Sequence, residues 1–398
     1  MGTFRSAAAG ASSRREFLVG AAKGGALLAA TGGLTSLVDA CGNSPSTTAT
    51  VGTVKKSVKG EQVRLLTWEL YADPSFTKAF ERKYAPVSPT YFGSFDEMFG
   101  KLRAGGGSSY DAVMTASDVA IPLAQVGELA PIDTSAMVNY NNIRPQLRHS
   151  DLWNYKGKQY AVPLDWGSTV ILADTARLGP LPDTLPFSML LDKEFRRAVG
   201  VMDDLSVIYT AAIYLGYPTF WNLSNTQLAD VQKFLVSKLL PNVVKFAVTF
   251  ADEADLFGTK EIAIAWGWTG VILSELLLDH IDYVTEHVIT PAMPWYVDTI
   301  SAVADSPNLA AVQDWINYNL LPQVAARRFD LMALPSVVPA AAKYLTPAEQ
   351  KQSYLTLAQA SFWKDLDPNL QWHPVPRRAL YQQVWNSVKA GISQFSAA

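Results

Sequence analysis

Three features of this sequence predict an α/β chain of two units, each a mainly parallel sheet flanked by helices. Short apolar runs alternate with helical periods from Gln62 onward. The alternation starts afresh near Gly167, and 398 residues are ample for two domains of roughly 150 residues each. In order, Val63-Arg64-Leu65-Leu66-Thr67 reads as a strand. Residues 74–84 set Phe76, Ala79 and Phe80 at helical spacing, which predicts a helix. A strand over 89–93, a helix over 95–104 and a strand over 112–115 complete the first unit. The second runs from about Gly167 to Ala265, with strands near 169–173, 198–202, 244–249 and 262–266. Helices are expected near 208–215, 226–239 and 309–319, and amphipathic ones over 347–362 and 379–395. In open α/β sheets ligands bind outside the carboxyl ends of strands. Trp68 to Tyr71, Ala116 to Asp118, Asp203-Asp204 and Trp266 to Gly270 therefore matter most.

The N-terminus carries an address. Ser13-Arg14-Arg15-Glu16-Phe17-Leu18 precedes a mildly apolar stretch, Leu18 to Leu37, broken by glycines and Lys23. That is the pattern of a twin-arginine export signal. Val38-Asp39-Ala40-Cys41 has the form of a bacterial lipobox, in which Cys41 is lipidated and begins the mature protein. The alternative is an ordinary cleavage site ending at Ala40. Either way the working protein is expected outside the cytoplasm, in the periplasm or on the outer face of the cell membrane. Residues 1–40 are then the signal and 41–60 a Ser/Thr/Gly/Lys-rich flexible tether, and cleavage leaves 358 residues.

Composition removes several classes. Beyond the signal no apolar run approaches the ~18 residues of a membrane span, so membrane contact is expected only through the lipid. A single cysteine excludes an internal disulfide, and a net charge of -3 offers no basic surface for nucleic acid. The 11 Trp, 16 Tyr and 17 Phe are plentiful, and several sit in polar, turn-rich contexts where an aromatic faces a ligand.

Catalytic signatures are missing. There is no G-x-S-x-G elbow, and Gly105-Gly106-Gly107 precedes no P-loop lysine. His149, His280, His287 and His373 show no metal-binding spacing, although His280 and His287 could share a helix face. Acid pairs such as Asp203-Asp204 do not by themselves make a glycosidase. The expectation is a protein that is not an enzyme and needs no cofactor or metal.

An ordered set of segments carries a resemblance. It comprises Trp68-Glu69-Leu70-Tyr71, the run 96–107 (DEMFGKLRAGGG), Ser109-Tyr110-Asp111-Ala112-Val113 and Gly127-Glu128-Leu129-Ala130-Pro131-Ile132-Asp133. Tyr160-Ala161-Val162-Pro163, Trp166-Gly167, Met202-Asp203-Asp204 and Leu215-Gly216-Tyr217 follow. Trp266-Gly267-Trp268-Thr269-Gly270, Trp295-Tyr296-Val297-Asp298 and Trp315-Ile316-Asn317-Tyr318 complete it. Over about Val63 to Gly391 the chain resembles the spermidine/putrescine-binding proteins of bacterial ABC importers.

The resemblance implies a two-lobed periplasmic-binding-protein fold of type II that captures solute by closure about a hinge. The first lobe would take 61–164 and return over 294–330; the second would take 165–293, with 331–398 mostly second lobe and C-terminal helices. Crossovers are expected near 163–167 and 291–297. It also implies, as partners, a polyamine-like organic cation and the membrane subunits of an ABC permease, and a monomer.

A polyamine needs carboxylates for its ammonium groups and aromatic faces for its methylenes, each ammonium–aromatic contact adding about 0.5–2 kcal/mol. By resemblance Trp68 and Tyr71 match the family's W-x-x-Y at the first strand end. Trp268 matches a later tryptophan, Asp298 the aspartate that grips an amine, Asp204 an acid of the paired turn, and Gln371 a glutamine near the carboxyl end. Five positions depart. Ala116 and Asp118 replace a serine and a tyrosine, Val207 a glutamate, Tyr296 a tryptophan and Leu334 a tyrosine. Asp118, Glu69 and Asp165 are expected to relocate the amine contacts, unless they are solvated loop acids. The solute is then shorter than spermidine, carries one amine, or adds hydroxyls.

Three other readings stay open. One is the same fold binding another organic amine or an amino-acid or opine-like solute. The others are a secreted hydrolase and a lipoprotein receptor that presents ligand to a sensor.

Overall fold

The computed structural model describes residues 61–352 and 367–392. The export signal, Cys41, the tether, most of the helix expected over 347–362 and the end of the last helix lie outside the described residues.

The first three strands, β1 (Val63–Thr67), β2 (Val87–Tyr91) and β3 (Ala112–Ala116), run parallel in the order β2-β1-β3. After the short β4 (Leu129–Ala130) and the pair β5 (Asn154–Tyr155) and β6 (Lys158–Gln159) comes β7 (Ala161–Asp174), 14 residues long and buried throughout. A short β8 (Thr184–Pro186) leads to β9 (Val199–Met202), β10 (Val243–Ala247) and β11 (Ile264–Trp268), parallel in the order β10-β9-β11. The chain then returns through β12 (Val284–Thr290) and β13 (Trp295–Val303).

β7 joins the two halves. From Ala161 to Ser168 it pairs antiparallel with β13, and from Thr169 to Ala173 with β11. β13 in turn lies antiparallel to β3. The sheet is therefore mixed: each half has a three-stranded parallel core, while the strands that carry the chain out and back must oppose it. The change of partner falls between Ser168 and Thr169, just beyond the expected 163–167, and residues 291–294 link β12 to β13. Gly167 is required here, because a Cβ would stand 2.6 Å from the Tyr296 hydroxyl.

The segment after residue 331 divides between the halves. Residues 335–337 run beside the start of β7 in the first half. Val337 donates to Leu164 O at 3.1 Å, and Arg144 donates to Val337 O at 2.9 Å. The helix Arg378–Ala390 does lie on the second half, where Trp385 and Lys389 both bind Asp203, at 2.8 and 2.7 Å.

Helix starts follow local capping. Ser94 caps Phe95–Ser109, and a Thr249/Asp252 capping box opens Phe250–Gly258. Phe95–Ser109 continues past the expected 104 through a kink at Gly106, where φ is 45°. The helix expected over 226–239 is α-helical over Asn225–Phe234 and a π-turn over Leu235–Leu239. Phe250–Gly258, Val271–Leu278, β12 and β13 had no counterpart in the sequence reading.

Glu253 is an anomaly of the second core. It is 0% exposed and neither carboxyl oxygen has a hydrogen-bond partner. Gly267 makes room for it: a Cβ there would lie 3.1 Å from its Oε2. Burial raises its pKa well above the ordinary glutamate value. A raised pKa means that the folded state holds a proton the unfolded chain releases. Stability is thus complete below about pH 4.5 and falls by ~1.4 kcal/mol per pH unit above it, until the native group titrates. Glu253→Gln should match the parent near pH 4 and exceed it increasingly toward pH 7 in urea unfolding. Parallel pH profiles for the two proteins would exclude this origin.

Candidate functional site

Strand ends and helix starts meet at the junction of the halves. Trp68, Glu69, Leu70 and Tyr71 leave β1, Ala116 ends β3, and Trp268 ends β11. Phe95 and Phe250 open their helices, Tyr296 and Asp298 point in from β13, and Trp372 follows the Trp295–Gln371 bridge. Together with Val271, Glu275, Met332 and Leu334 they enclose a cavity of about 60 Å³. On the usual scale of ~10–15 Å³ per water, that is room for a handful of water-sized groups.

The walls are aromatic. Trp68 packs on Phe92 and Phe95 at 4.4 and 5.2 Å, and Phe250 meets Trp268 edge-on at 5.9 Å. Trp372 bridges Tyr296 and Trp268 at 4.9 and 6.5 Å. The indole N–H groups of Trp268 and Trp372 are buried and have no hydrogen-bond partner.

Asp298 supplies the charge. It stands opposite Ala116 in the register of β13 and β3 and is 8% exposed. The Tyr71 hydroxyl donates to its Oδ2 at 2.7 Å. Burial pushes its pKa up to about 7; the bond from Tyr71 opposes the rise, and the charges of Asp165 and Asp118 add to it. Tyr71 reaches it because Leu70 adopts φ 74°, a left-handed conformation costing a leucine about 1–3 kcal/mol. Such strain at a cavity wall is a mark of a functional turn.

Of the ten expected ligand contacts, six line the cavity: Trp68, Glu69, Tyr71, Trp268, Tyr296 and Asp298. Trp266 is instead fully buried, its indole donating to Thr210 at 3.1 Å. The other four lie off its walls. Asp165 is paired with Arg328, which grips both its oxygens at 2.8 and 3.2 Å, and both side chains are wholly buried. Asp204 accepts from the backbone N–H and hydroxyl of Ser206, closing the turn before the helix Val207–Tyr214. Asp118 is buried beside the cavity, 3.7 Å from Arg378. Gln371 is buried off the cavity, and its neighbour Trp372 takes the wall position.

Phe95, Phe250 and Trp372 were missed. The first two directly follow a Ser or Thr cap, which is a readable signal, since helix N-termini in α/β units lie at the carboxyl ends of strands. The departures at Ala116 and Leu334 also line the cavity, as small and apolar surface. Among the described residues there is no group of three His, Cys, Asp or Glu placed to hold a metal, and no helix long and apolar enough to cross a membrane.

Residues 75–357 match the family of bacterial extracellular solute-binding proteins. The chain is 22% identical over 339 residues to the spermidine/putrescine-binding periplasmic protein of Salmonella typhimurium, covering 81% of this chain and 90% of that protein. It is 24% identical over 347 residues to the putrescine/agmatine-binding protein of Pseudomonas aeruginosa, covering 83% and 92%. Its fold matches that of the TpPotD lipoprotein of Treponema pallidum with a TM-score of 0.68 at 23% identity, over 83% of this chain and 100% of that one.

Proposed function

This chain belongs to the bacterial extracellular solute-binding proteins, and we propose that it captures a polyamine-like organic amine between its lobes and delivers it to an ABC permease. The observation that carries this reading is Asp298. A carboxylate so buried, with a tyrosine hydroxyl as its hydrogen-bond partner, lacks the counter-charge that buried ions require. An ammonium group supplies that charge, and the surrounding indole and phenol faces add cation–π attraction and cover methylenes. The Salmonella relative, a spermidine/putrescine-binding protein, and the Pseudomonas relative, a putrescine/agmatine-binding protein, agree with an amine.

Capture is by closure. A solute that touches both halves binds the closed state better than the open one and shifts the population toward it. β7 and the 291–294 link are the segments about which the lobes would turn. Export by the twin-arginine route and anchoring through Cys41 complete the proposal; the mass of the exported chain reads both the cleavage and the lipid.

Calorimetric titration with putrescine and spermidine, with an anionic solute as control, tests the reading, and its pH dependence tests the role of Asp298. Only the ionised carboxylate attracts an ammonium, and its pKa is about 7 in the free protein. Affinity should therefore fall by about tenfold per pH unit below 7 and level off above it. Binding at pH 6 should release protons, seen as heats that vary with buffer ionisation enthalpy. Constant affinity from about pH 5 to 8 would assign the cation to another group.

A further inference from the structure

Beside the aromatic cage lies a cluster of buried polar atoms whose hydrogen bonding within the protein is incomplete. Ser117 Oγ, Asp118 Oδ1, Tyr209 OH and Arg378 Nε are all buried and have no partner. The first three residues are 4% exposed or less. Buried polar groups in folded proteins nearly always have partners, so four such atoms together mark a place for a ligand group.

The cluster continues the floor of the cage. Ala116 faces Asp298, Ser117 N donates to Val297 O at 3.0 Å, and Asp118 follows in the turn that Val119 N closes on Ala116 O at 3.0 Å. Tyr209 packs edge-on against the cage wall at Trp372, 5.5 Å away. Phe95 lines both the cage and a second cavity of about 210 Å³ that holds Asp204 and Arg378.

The charges there select what can enter. A second ammonium would meet the guanidinium of Arg378, which already faces Asp118 at 3.7 Å and Asp96 at 3.8 Å. A carboxylate would meet those same acids. Asp204 is engaged by Ser206. What the cluster lacks is one acceptor for Arg378 Nε and one donor for Asp118 Oδ1, with two hydroxyls able to turn either way. A hydroxyl or a primary amide provides both without breaking the ion pair.

We propose that Ser117, Asp118, Tyr209 and Arg378 form a second subsite, for the uncharged hydroxyl or amide end of a monoamine whose ammonium sits at Asp298. The inference rests on the amine-binding reading of the cleft and narrows it: the second cation of a diamine is replaced by the protein's own Arg378.

Titration calorimetry of the purified chain with putrescine, 4-aminobutanol and n-butylamine, which share one carbon chain, tests this. The aminobutanol should bind at least tenfold tighter than either of the others. Arg378→Gln should shift the putrescine-to-aminobutanol ratio at least tenfold toward putrescine. Tyr209→Phe, a milder change, should bring the aminobutanol-to-butylamine ratio toward one. Putrescine binding as tightly as the aminobutanol in the unaltered chain, or butylamine doing so, overturns the subsite while leaving the amine cleft in place. No heat from any of the three overturns the amine cleft, and the subsite with it.

Discussion

Asp298→Ala is expected to weaken amine binding by about 2–5 kcal/mol, roughly 30- to 4,000-fold in Kd. The substitution has two effects, one on binding and one on the fold. The ammonium loses its counter-charge in a cavity walled by Trp68, Phe95, Trp268 and Trp372. The Tyr71 hydroxyl also loses the carboxylate oxygen it donates to at 2.7 Å. Asp298→Asn separates the effects, because an amide keeps an acceptor for Tyr71 but carries no charge. It should lose nearly as much affinity as the alanine variant while its thermal stability stays closer to the parent. Calorimetry with the best-bound amine reads the first quantity and thermal unfolding without solute the second. A loss of tenfold or less in both variants would mean that Asp298 is not the principal anion of the site.

The parts of this architecture legible in the sequence were those written locally. β1, β3, β9 and the helix Leu309–Asn319 were readable because apolar spacing within each segment reports its own buried face. Trp68, Tyr71, Trp268 and Asp298 could be named because strand ends converge in an α/β layer and because their order matches a known family. β12 and β13 gave no such signal: β13 is buried on both faces, so its sequence shows no alternation. The turn at Asp204 is local and readable, for Asp204-Leu205-Ser206 is the spacing of a side chain that caps its own turn. Asp118 and Asp165 were of another kind. Their partners, Arg378 and Arg328, come from distant segments of the chain, so which acid is already neutralised cannot be read one segment at a time.

Arg328 is where the largest loss of stability is expected. Its guanidinium holds Asp165 with two bonds and donates to Asn319 O at 2.9 Å and Asn319 Oδ1 at 3.1 Å, all in a region without solvent. Arg328→Met removes one member of a buried pair and leaves the other charge uncompensated, which costs about 3–5 kcal/mol. Asp165→Leu alone should cost a similar amount. The double variant should recover much of the loss, since an apolar pair of similar volume escapes the desolvation of both ions. Urea unfolding of the four proteins gives the coupling directly. Single losses below about 1 kcal/mol would show that the pair is not held as ions.

The same cycle reaches the site. Asp165 lies close enough to raise the pKa of Asp298 by its charge, and Tyr71 stands between the two acids. With Arg328 gone, burial should keep Asp165 protonated, and Asp165→Leu removes its charge outright, so both variants should lower the pKa of Asp298 and move the fall in amine affinity to lower pH. A downward displacement of the binding profile in both variants would tie the buried pair to the charge state of the cleft, and not only to the fold; an unmoved profile would confine its role to the fold.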